Sequence, residues 1–542
     1  MFAGSMVEFS HFGFGGEAPI LIRTKDGKVH AIAGVGTMPK IATADFFRNR
    51  RIMQGEILAL EPGGLKGIIP VAGLMPALVP GMVEAGLVAL REYGTMSFAD
   101  VIQPAIELAD GAPIDELRSI YISRSRRFLD IWPASKHVFM PDGRAPMPGD
   151  IFRQPDLART LRIMVEAEKQ ALKKGASRMA AIDAVRDCFY RGEIAKRIDA
   201  FSRANNGLLR YEDMAAFRLK PEDPVSTTYR GYDVYKPGFW SQGPVFIEEL
   251  NMLEGFDLRA MGFNSPNYIH TLTEAMKLAF ADRDTYYGDP AFNQIPAARL
   301  LSKEYGAERR KQIGEKASST FRPGSINGKI GKHPSEMEMA RYRIDDELMA
   351  SDTTCVDVVD KDGIMFSATP SGAWMPSVIA GDTGIPLTER AQSFLLLPGH
   401  PNELAGGKRP RVTLSPTIVT RDGKPFLALS TPGGDNQDQA LLELMLNIVE
   451  FGMNAEQSVE APRFETRHLV SSFDNHAMDP GSLYLDERIP GAPYTDLNER
   501  GHRIGILSKW SSGSRPVIIR VLPDGVMETG ADPYGGRVAV AW

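Results

Sequence analysis

The consecutive residues Asp352, Thr353 and Thr354 of this 542-residue chain could together take part in a chemical reaction. A cut between Asp352 and Thr353 would give the threonine a free α-amino group. The Thr353 hydroxyl could then act as a nucleophile, with its own amine as the base. Such an amine has a pKa of about 7.7–8.0, so a useful fraction is unprotonated near neutral pH. Two adjacent threonines are by themselves typical of an ordinary strand, so the hypothesis needs further residues.

Two later segments supply such residues. Gly433 and Gly434 follow an apolar strand pattern and precede an apolar helix pattern. Paired glycines at such a turn can direct two backbone N–H groups at one point, as an oxyanion hole requires. The alternative is an ordinary turn from strand to helix. Ser371 lies on the return strand of the hairpin that Thr353 opens, where it could hydrogen-bond the Thr353 amine or hydroxyl.

The elements that would position these residues are hairpins and amphipathic helices. Asp-Gly between two apolar runs is a strong hairpin signal, because the tight turn needs positive φ. Apolar residues at helical spacing predict helices between the hairpins, and a run that is apolar nearly all round predicts a buried helix. This mixture predicts an α+β fold. The predicted hairpins span 20–33, 355–369, 417–429 and 517–529, and the predicted helices span 84–91, 98–109, 151–174, 268–286 and 439–451.

The segment 302–352 is rich in Lys, Glu, Ser and Gly and has few large apolar residues. This composition predicts an exposed, mobile linker. A self-cleaving precursor needs such a segment, because the old chain end must leave the pocket after the cut. The alternative is a plain surface loop. We therefore expect a large part, 1–352, that ends in this linker, and a small part, 353–542, that begins at Thr353.

Composition and charge exclude several classes of function. The net charge of −6 and the lack of a basic stripe argue against a nucleic-acid partner. The two cysteines and scattered histidines show no metal-ligand spacing, so neither a metal nor a cofactor is expected. The sequence has no run of 18 or more apolar residues, so no membrane span is expected. The N-terminus has no basic region of the secretory type, so the chain as given is expected in the cytoplasm, or in the periplasm if an upstream segment is missing.

Further motifs in collinear order resemble the γ-glutamyltransferase family, a group of threonine-type N-terminal nucleophile hydrolases. The similarity covers essentially the whole chain. The matching pieces are Thr353-Thr354, the run 358–363, the run 379–385, Lys408-Arg409-Pro410, the run 415–419, Pro432-Gly433-Gly434, the run 461–464 and the run 531–533, with Val79-Pro80-Gly81, the run 93–96 and the run 103–105 in the large part.

The resemblance implies an αββα fold, in which two stacked antiparallel sheets lie between helical layers. It also implies self-cleavage between Asp352 and Thr353, with the large and small subunits remaining together. Thr353 would then attack a small-molecule amide while the N–H groups of Gly433 and Gly434 hold the oxyanion. Water or an amine would accept the acyl group.

The positions that recognise the glutamyl group depart from the family pattern. Val35 stands at or near the arginine that binds the glutamyl α-carboxylate. Ala373 and Ser393 stand where the family has an asparagine and an acidic residue for the α-amino group. Arg390 replaces a glutamine, and Val412-Thr413 replaces paired serines. These departures predict an altered acyl specificity, because each lost charged contact weakens binding by a few kcal/mol.

The sequence leaves three alternatives open. Arg390 and Arg411, together with Ser393 and Thr413, could bind another substrate group such as a carboxylate, or the two arginines could be ordinary surface charges. Thr353 could stay internal in an uncleaved relative that acts as a binding or scaffold protein. Cys355 could be the nucleophile instead, but it would lack a free amine beside it.

Overall fold

The computed structural model describes residues 1–52, 56, 68–334, 352–474, 476–534 and 536–541. Its helices are α1 Gly4–Val7, α2 Ala44–Asn49, α3 Met82–Tyr93, α4 Phe98–Asp110, α5 Glu116–Arg124, α6 Arg126–Leu129, α7 Pro133–Phe139, α8 Pro155–Lys173, α9 Arg178–Tyr190, α10 Glu193–Ala204, α11 Tyr211–Ala216, α12 Pro244–Leu253, α13 Leu258–Met261, α14 Pro266–Tyr286, α15 Ala297–Leu300, α16 Lys303–Arg310, α17 Gln437–Val449, α18 Ala455–Glu460 and α19 Ala492–Glu499. Its strands are β1 Ile20–Arg23, β2 Val29–Ile32, β3 Ala112–Pro113, β4 Ile151–Phe152, β5 Val225–Tyr229, β6 Tyr232–Lys236, β7 Val356–Val359, β8 Met365–Ala368, β9 Thr417–Arg421, β10 Lys424–Ser430, β11 Phe464–Glu465, β12 Ser482–Asp486, β13 Arg503–Leu507, β14 Val517–Val521 and β15 Met527–Ala531.

Two antiparallel sheets form the centre of the fold. One has the strand order β2-β1-β8-β7, and the other has the order β15-β14-β10-β9-β6-β5. They pack face to face through apolar side chains that include Leu21, Ala31, Met365, Ile418 and Ala428. Burying both inner faces in this way is what holds two aligned sheets together.

The four hairpins predicted at Asp-Gly are all present. They join β1 to β2, β7 to β8, β9 to β10 and β14 to β15. In each turn the glycine has positive φ, from +72° at Gly423 to +88° at Gly27, which a residue without a Cβ adopts at no steric cost. Local turn chemistry therefore sets the register of both sheets.

Helices cover the outer faces of both sheets. The first sheet shares a hydrophobic core with α3, α4, α8, α9 and α10, and the second shares a separate core with α12, α14 and α17. Helix α17 is buried from Gln437 to Ile448, as its nearly all-apolar pattern predicted. The predicted helix over 151–174 begins only at Pro155, because Ile151 and Phe152 pair with β3 instead. The α+β, αββα prediction is confirmed.

Each central sheet contains strands from both sides of the Asp352–Thr353 bond. In the first sheet β1 pairs with β8, and in the second β6 pairs with β9. The expected large and small parts are therefore interleaved through backbone hydrogen bonds and do not form two separate cores.

The expectation of an exposed linker from residue 302 is wrong over Lys303–Arg310. These residues form α16, in which Tyr305 and Arg309 are buried. Both side chains bind the buried carboxylate of Asp282, at 2.8 Å from the Tyr305 hydroxyl and 3.1 Å from Arg309 Nε. A polar helix anchored by one buried arginine has the composition of a linker, which explains the error. In the rest of the expected linker, residues 311–334 form no α-helix or strand and are mostly exposed or half-buried, and residues 335–351 lie outside the described residues.

None of the described helices is long and apolar enough to cross a bilayer. Over the same residues, no group of three or more His, Cys, Asp or Glu side chains could hold a metal ion.

Candidate active site

Thr353 lies just before β7 and is only 2% exposed. Its backbone forms an isolated antiparallel bridge with Ser371, on the chain that returns from β8. The Thr353 hydroxyl donates to Ser371 Oγ at 3.2 Å, which is the contact expected from the sequence. Gln437 Nε2 donates to Thr353 Oγ1 at 3.4 Å from the first turn of α17. The candidate nucleophile is therefore fixed by groups from two different elements.

Ser371 connects Thr353 to the carbonyl group that precedes it. Its hydroxyl donates to the Asp352 carbonyl oxygen at 2.9 Å and accepts from Arg390 Nη2 at 2.8 Å. The indole Nε1 of Trp374 donates to the same Asp352 oxygen at 2.5 Å. A hydroxyl that accepts two hydrogen bonds and donates one has used its full capacity, so the orientation of Ser371 is determined.

Arg390 is a buried charge with an internal partner. Arg390 and Glu17 are both 0% exposed, and Arg390 Nε donates to the Glu17 carboxylate. Burial raises the pKa of Glu17, while Arg390 and a hydrogen bond from Thr388 oppose that rise. The interpretation of Arg390 as a surface charge is wrong. Because Glu17 already balances its charge, the proposed role as a clamp for a substrate carboxylate is also not supported.

Gly433 and Gly434 form the turn between β10 and α17. Gly433 has φ +125° and Gly434 has φ +56°, and both values favour glycine. A Cβ on Gly434 would lie 2.9 Å from the Phe473 ring. Within the described part of the chain, neither N–H group donates a hydrogen bond. The turn therefore leads into the same end of α17 from which Gln437 contacts Thr353, with two N–H groups still available.

Arg411 is also buried, so its interpretation as a surface charge is wrong too. It donates to Ser472 Oγ at 2.6 Å and lies 3.6 Å from Asp284 and 4.0 Å from Asp435. Burial acts to raise the pKa of Asp435, but Arg283 and Arg411 outweigh it and hold that pKa below its usual value. These arginines therefore hold in place the carboxylate of Asp435, the residue that follows Gly434 in the turn.

Ser393 and Thr413 are buried, and their hydroxyl groups have no hydrogen-bond partner among the described residues. The Ser393 carbonyl accepts from Asn402 Nδ2 at 2.6 Å. Ala373, at a position of family departure, is fully buried. These residues carry no charge, in contrast to the acidic residue that the family places at Ser393.

Cys355 is unsuited to act as the nucleophile. Burial, ahead of smaller electrostatic effects, raises the pKa of its thiol to about 12. The reactive form of a cysteine is the thiolate, which is then very rare near neutral pH. The neighbouring Asp357 accepts a hydrogen bond from Ser430 at 2.6 Å, and burial raises its pKa to about 7.

The sequence reasoning missed several residues at the site. Trp374 and Gln437 each contact the Asp352–Thr353 pair, and Arg537 Nη2 donates to the Thr353 carbonyl at 3.3 Å. Thr354 Oγ1 donates to Glu8 Oε2 at 3.2 Å. Trp374 lies three positions after Ser371, so the return strand offered a weak signal. Glu8 and Arg537 lie near opposite ends of the chain and offered none.

The chain is similar to known proteins over most of its length. The family model described as Gamma-glutamyltranspeptidase matches residues 1–542. A relative named Glutathione hydrolase-like YwrD proenzyme, from Bacillus subtilis strain 168, is 31% identical over 88% of this chain and 82% of its own length. Acylase ACY 1 proenzyme, from Pseudomonas sp. strain V22, is 29% identical over 98% of this chain and 86% of its own length.

A solved structure gives the same result for the fold. The cephalosporin acylase from Bacillus halodurans has a TM-score of 0.80 and 28% identity, covering 98% of this chain and 88% of that one. The resemblance inferred from the motifs is therefore confirmed over the whole chain. The chain belongs to the gamma-glutamyltranspeptidase family and is an enzyme of the N-terminal nucleophile hydrolase fold, an amidohydrolase or acyltransferase.

Proposed function

We propose that this enzyme cuts its own chain between Asp352 and Thr353 and then uses Thr353 to hydrolyse or transfer an acyl amide. The observation that carries the proposal is the hydrogen-bonded path from Thr353 Oγ1 through Ser371 Oγ to the Asp352 carbonyl oxygen. This path joins the attacking hydroxyl to the peptide group that it must attack. The names of the two proenzyme relatives support the same processing.

The uncut chain needs a base other than the Thr353 nitrogen. That nitrogen belongs to the amide that is to be cut, so it carries no basic lone pair. Ser371 Oγ accepts the hydrogen bond of the Thr353 hydroxyl and can take its proton while it passes its own proton to the Asp352 carbonyl oxygen. Arg390 donates to the same Ser371 oxygen and so fixes the serine in place. The new α-amino group becomes available as a base only after the cut.

The mature enzyme then works on an external amide. The Thr353 hydroxyl attacks the substrate carbonyl, its α-amine takes the proton, and the leaving amine departs from an acyl-enzyme. The N–H groups of Gly433 and Gly434 stabilise the oxyanion, which is typically worth about 3–4 kcal/mol per donor. Water completes hydrolysis, and an amine acceptor completes transfer.

The acyl group differs from a free γ-glutamyl group. Val35, Ala373 and Ser393 are all buried residues without charge at the positions where the family binds the α-carboxylate and α-amine. Arg390 and Arg411 are already engaged with internal carboxylates. A γ-glutamyl end would have to leave water without charged partners, which is unfavourable. An acyl amide without the α-amino-acid group fits these residues better.

The first experiment is the intact mass of the purified protein under denaturing conditions, beside its Thr353→Ala variant. We expect fragments of 352 and 190 residues in the wild type and one chain of 542 residues in the variant. An uncut wild-type chain would favour the alternative of a non-catalytic binding or scaffold protein.

The second experiment compares three p-nitroanilides of similar acyl length. The γ-glutamyl compound has the α-amine and the carboxylate, the glutaryl compound has only the carboxylate, and the pentanoyl compound has neither. We expect a higher kcat/KM for the glutaryl or the pentanoyl compound than for the γ-glutamyl compound. A preference for the γ-glutamyl compound over both would refute the argument from Val35, Ala373 and Ser393.

A further inference from the structure

The carbonyl oxygen of Asp352 accepts two hydrogen bonds from side chains. Trp374 Nε1 lies 2.5 Å from it and Ser371 Oγ lies 2.9 Å from it. Two donors aimed at one carbonyl oxygen are the arrangement that stabilises the negative charge of a tetrahedral adduct. The Gly433–Gly434 turn offers a different pair of donors, which come from the backbone. The uncut chain thus presents a separate donor pair at the bond to be cut.

Trp374 is held rigidly in this position. The residue is 1% exposed, and its ring contacts the Arg390 guanidinium, 4.4 Å from the ring centroid, and the Phe473 ring, whose centroid is 5.8 Å away. Its backbone N–H donates to Glu389 Oε2 at 3.1 Å. A buried indole N–H needs an acceptor, and here that acceptor is the carbonyl oxygen of the scissile bond.

We propose that Trp374 and Ser371 form an oxyanion hole that serves self-cleavage and is distinct from the one at Gly433 and Gly434. This inference rests on the proposed function, since it assigns the residues that promote the same cut. Trp374 is then a catalytic residue of maturation, because its N–H touches the reacting oxygen.

The residues at the site and one water molecule account for every bond that forms or breaks in self-cleavage. Thr353 Oγ1 bonds to the Asp352 carbonyl carbon while the π electrons of the C=O bond move onto the oxygen. Trp374 and Ser371 stabilise the negative charge that develops on that oxygen in the transition state. The Thr353 proton then passes to Ser371 Oγ as the Ser371 proton passes to the oxygen. Collapse re-forms the C=O bond and breaks the C–N bond, and the proton released from the oxygen balances the one that the nitrogen takes up. Water then hydrolyses the ester to the Asp352 carboxylic acid and the Thr353 hydroxyl.

The test is the rate at which newly made chains are cut, followed by intact mass after cell-free synthesis. Trp374→Phe keeps an aromatic ring and removes the N–H donor. The matched control is Trp132→Phe, because Trp132 is half-buried and its indole N–H has no partner among the described residues. We expect Trp374→Phe to slow the cut by about 100-fold, the usual effect of losing one oxyanion donor, and Trp132→Phe to leave the rate unchanged.

The possible outcomes separate this proposal from the proposed function. A wild-type chain that is never cut contradicts self-cleavage itself. A wild-type chain that is cut, with Trp374→Phe cut equally fast, overturns only the role of Trp374. Hydroxylamine cleaves esters. It should not speed the cut in Trp374→Phe, because the Trp374 and Ser371 donors act before the ester forms. Restoration of the wild-type rate by hydroxylamine would place the block at ester hydrolysis and overturn the assignment.

Folding is checked with chains that cannot be cut. The thermal midpoint of Thr353→Ala is compared with that of the double variant Thr353→Ala/Trp374→Phe. We expect the two midpoints to agree within about 2 °C. A larger decrease would attribute slow cleavage to damaged folding and would count against the proposal.

Discussion

The buried pair of Arg390 and Glu17 gives a quantitative prediction for the variant Arg390→Gln. The substitution leaves Glu17, which is 0% exposed, without its cation, and it removes a donor from Ser371. Breaking a buried ion pair by removing one partner typically lowers the free energy of unfolding by about 3–5 kcal/mol. We therefore expect Arg390→Gln to be clearly less stable than its parent. The Thr353→Ala background keeps every chain continuous during the measurement.

This free energy converts into a shift of the thermal midpoint. Unfolding entropies average about 2.1 cal/mol/K per residue, so a chain of 542 residues that unfolds as one unit has an unfolding entropy of about 1.1 kcal/mol/K. The expected decrease is then about 3–4 °C at pH 7.5, measured by scanning calorimetry. The matched control is Arg203→Gln, which breaks an exposed pair with Asp199 on α10 and should shift the midpoint by less than about 1 °C.

The double variant Glu17→Gln/Arg390→Gln tests the cause. It replaces both charges by neutral groups, so it should recover most of the stability that Arg390→Gln loses. The loss in the single variant should also shrink at lower pH, because an unpaired Glu17 becomes neutral by taking up a proton. A double variant as unstable as the single one, at every pH, would refute the view that the stranded carboxylate is what destabilises the protein.

Three further predictions concern the turn, the thiol and a histidine. Gly434→Ala places a Cβ 2.9 Å from the Phe473 ring and should lower kcat for amide hydrolysis by about 10- to 100-fold. The control Gly452→Ala, at φ +69° with nothing within 4 Å of the new Cβ, should leave kcat unchanged. Equal losses of kcat in the two variants would point to backbone strain alone. Cys355→Ser should leave both the cut and turnover unchanged within about two-fold, since a thiol with a pKa of about 12 is not a nucleophile near pH 7. Burial lowers the pKa of His400 to about 4. The unfolded chain therefore takes up this proton at a higher pH than the folded chain does, and the contribution of His400 to the free energy of unfolding should fall by about 3 kcal/mol as the pH drops from about 6.5 to 4. Urea midpoints at pH 7, 5 and 4 should show a shallower decline in His400→Gln, and an unchanged decline would contradict the role of this histidine.

The parts of the fold that depend on neighbouring residues could be predicted from the sequence. Asp-Gly turns such as Asp422-Gly423 predicted the strands that flank them, and the apolar run that contains Leu441 predicted the burial of α17. The hairpin between β5 and β6 was missed because its turn is Arg230-Gly231, in which an arginine adopts φ +52°. A turn that uses an unusual residue gives no such signal.

The candidate site was only partly predictable, because its contacts join distant residues. The Thr353–Ser371 contact could be expected from one hairpin. Arg390 and Glu17 are 373 positions apart, and nothing local in the sequence marks either as buried. A charged residue is normally taken to be exposed, and that assumption fails where a long-range partner compensates for the loss of water. The catalytic roles of Thr353, Ser371, Gly433 and Gly434 stay predictions for the experiments above.

The pairing of β1 with β8 and of β6 with β9 has a consequence for the order of folding and cutting. In a continuous chain these strands meet within one molecule, at an effective concentration far above that of two separate polypeptides. After a cut, the same strands could re-pair only through a bimolecular encounter, so the stability of the mature form would depend on protein concentration. A chain that is cut as proposed must therefore fold first. At low protein concentration, where this encounter is slow, the lifetime of the cut form would be set by how slowly it unfolds.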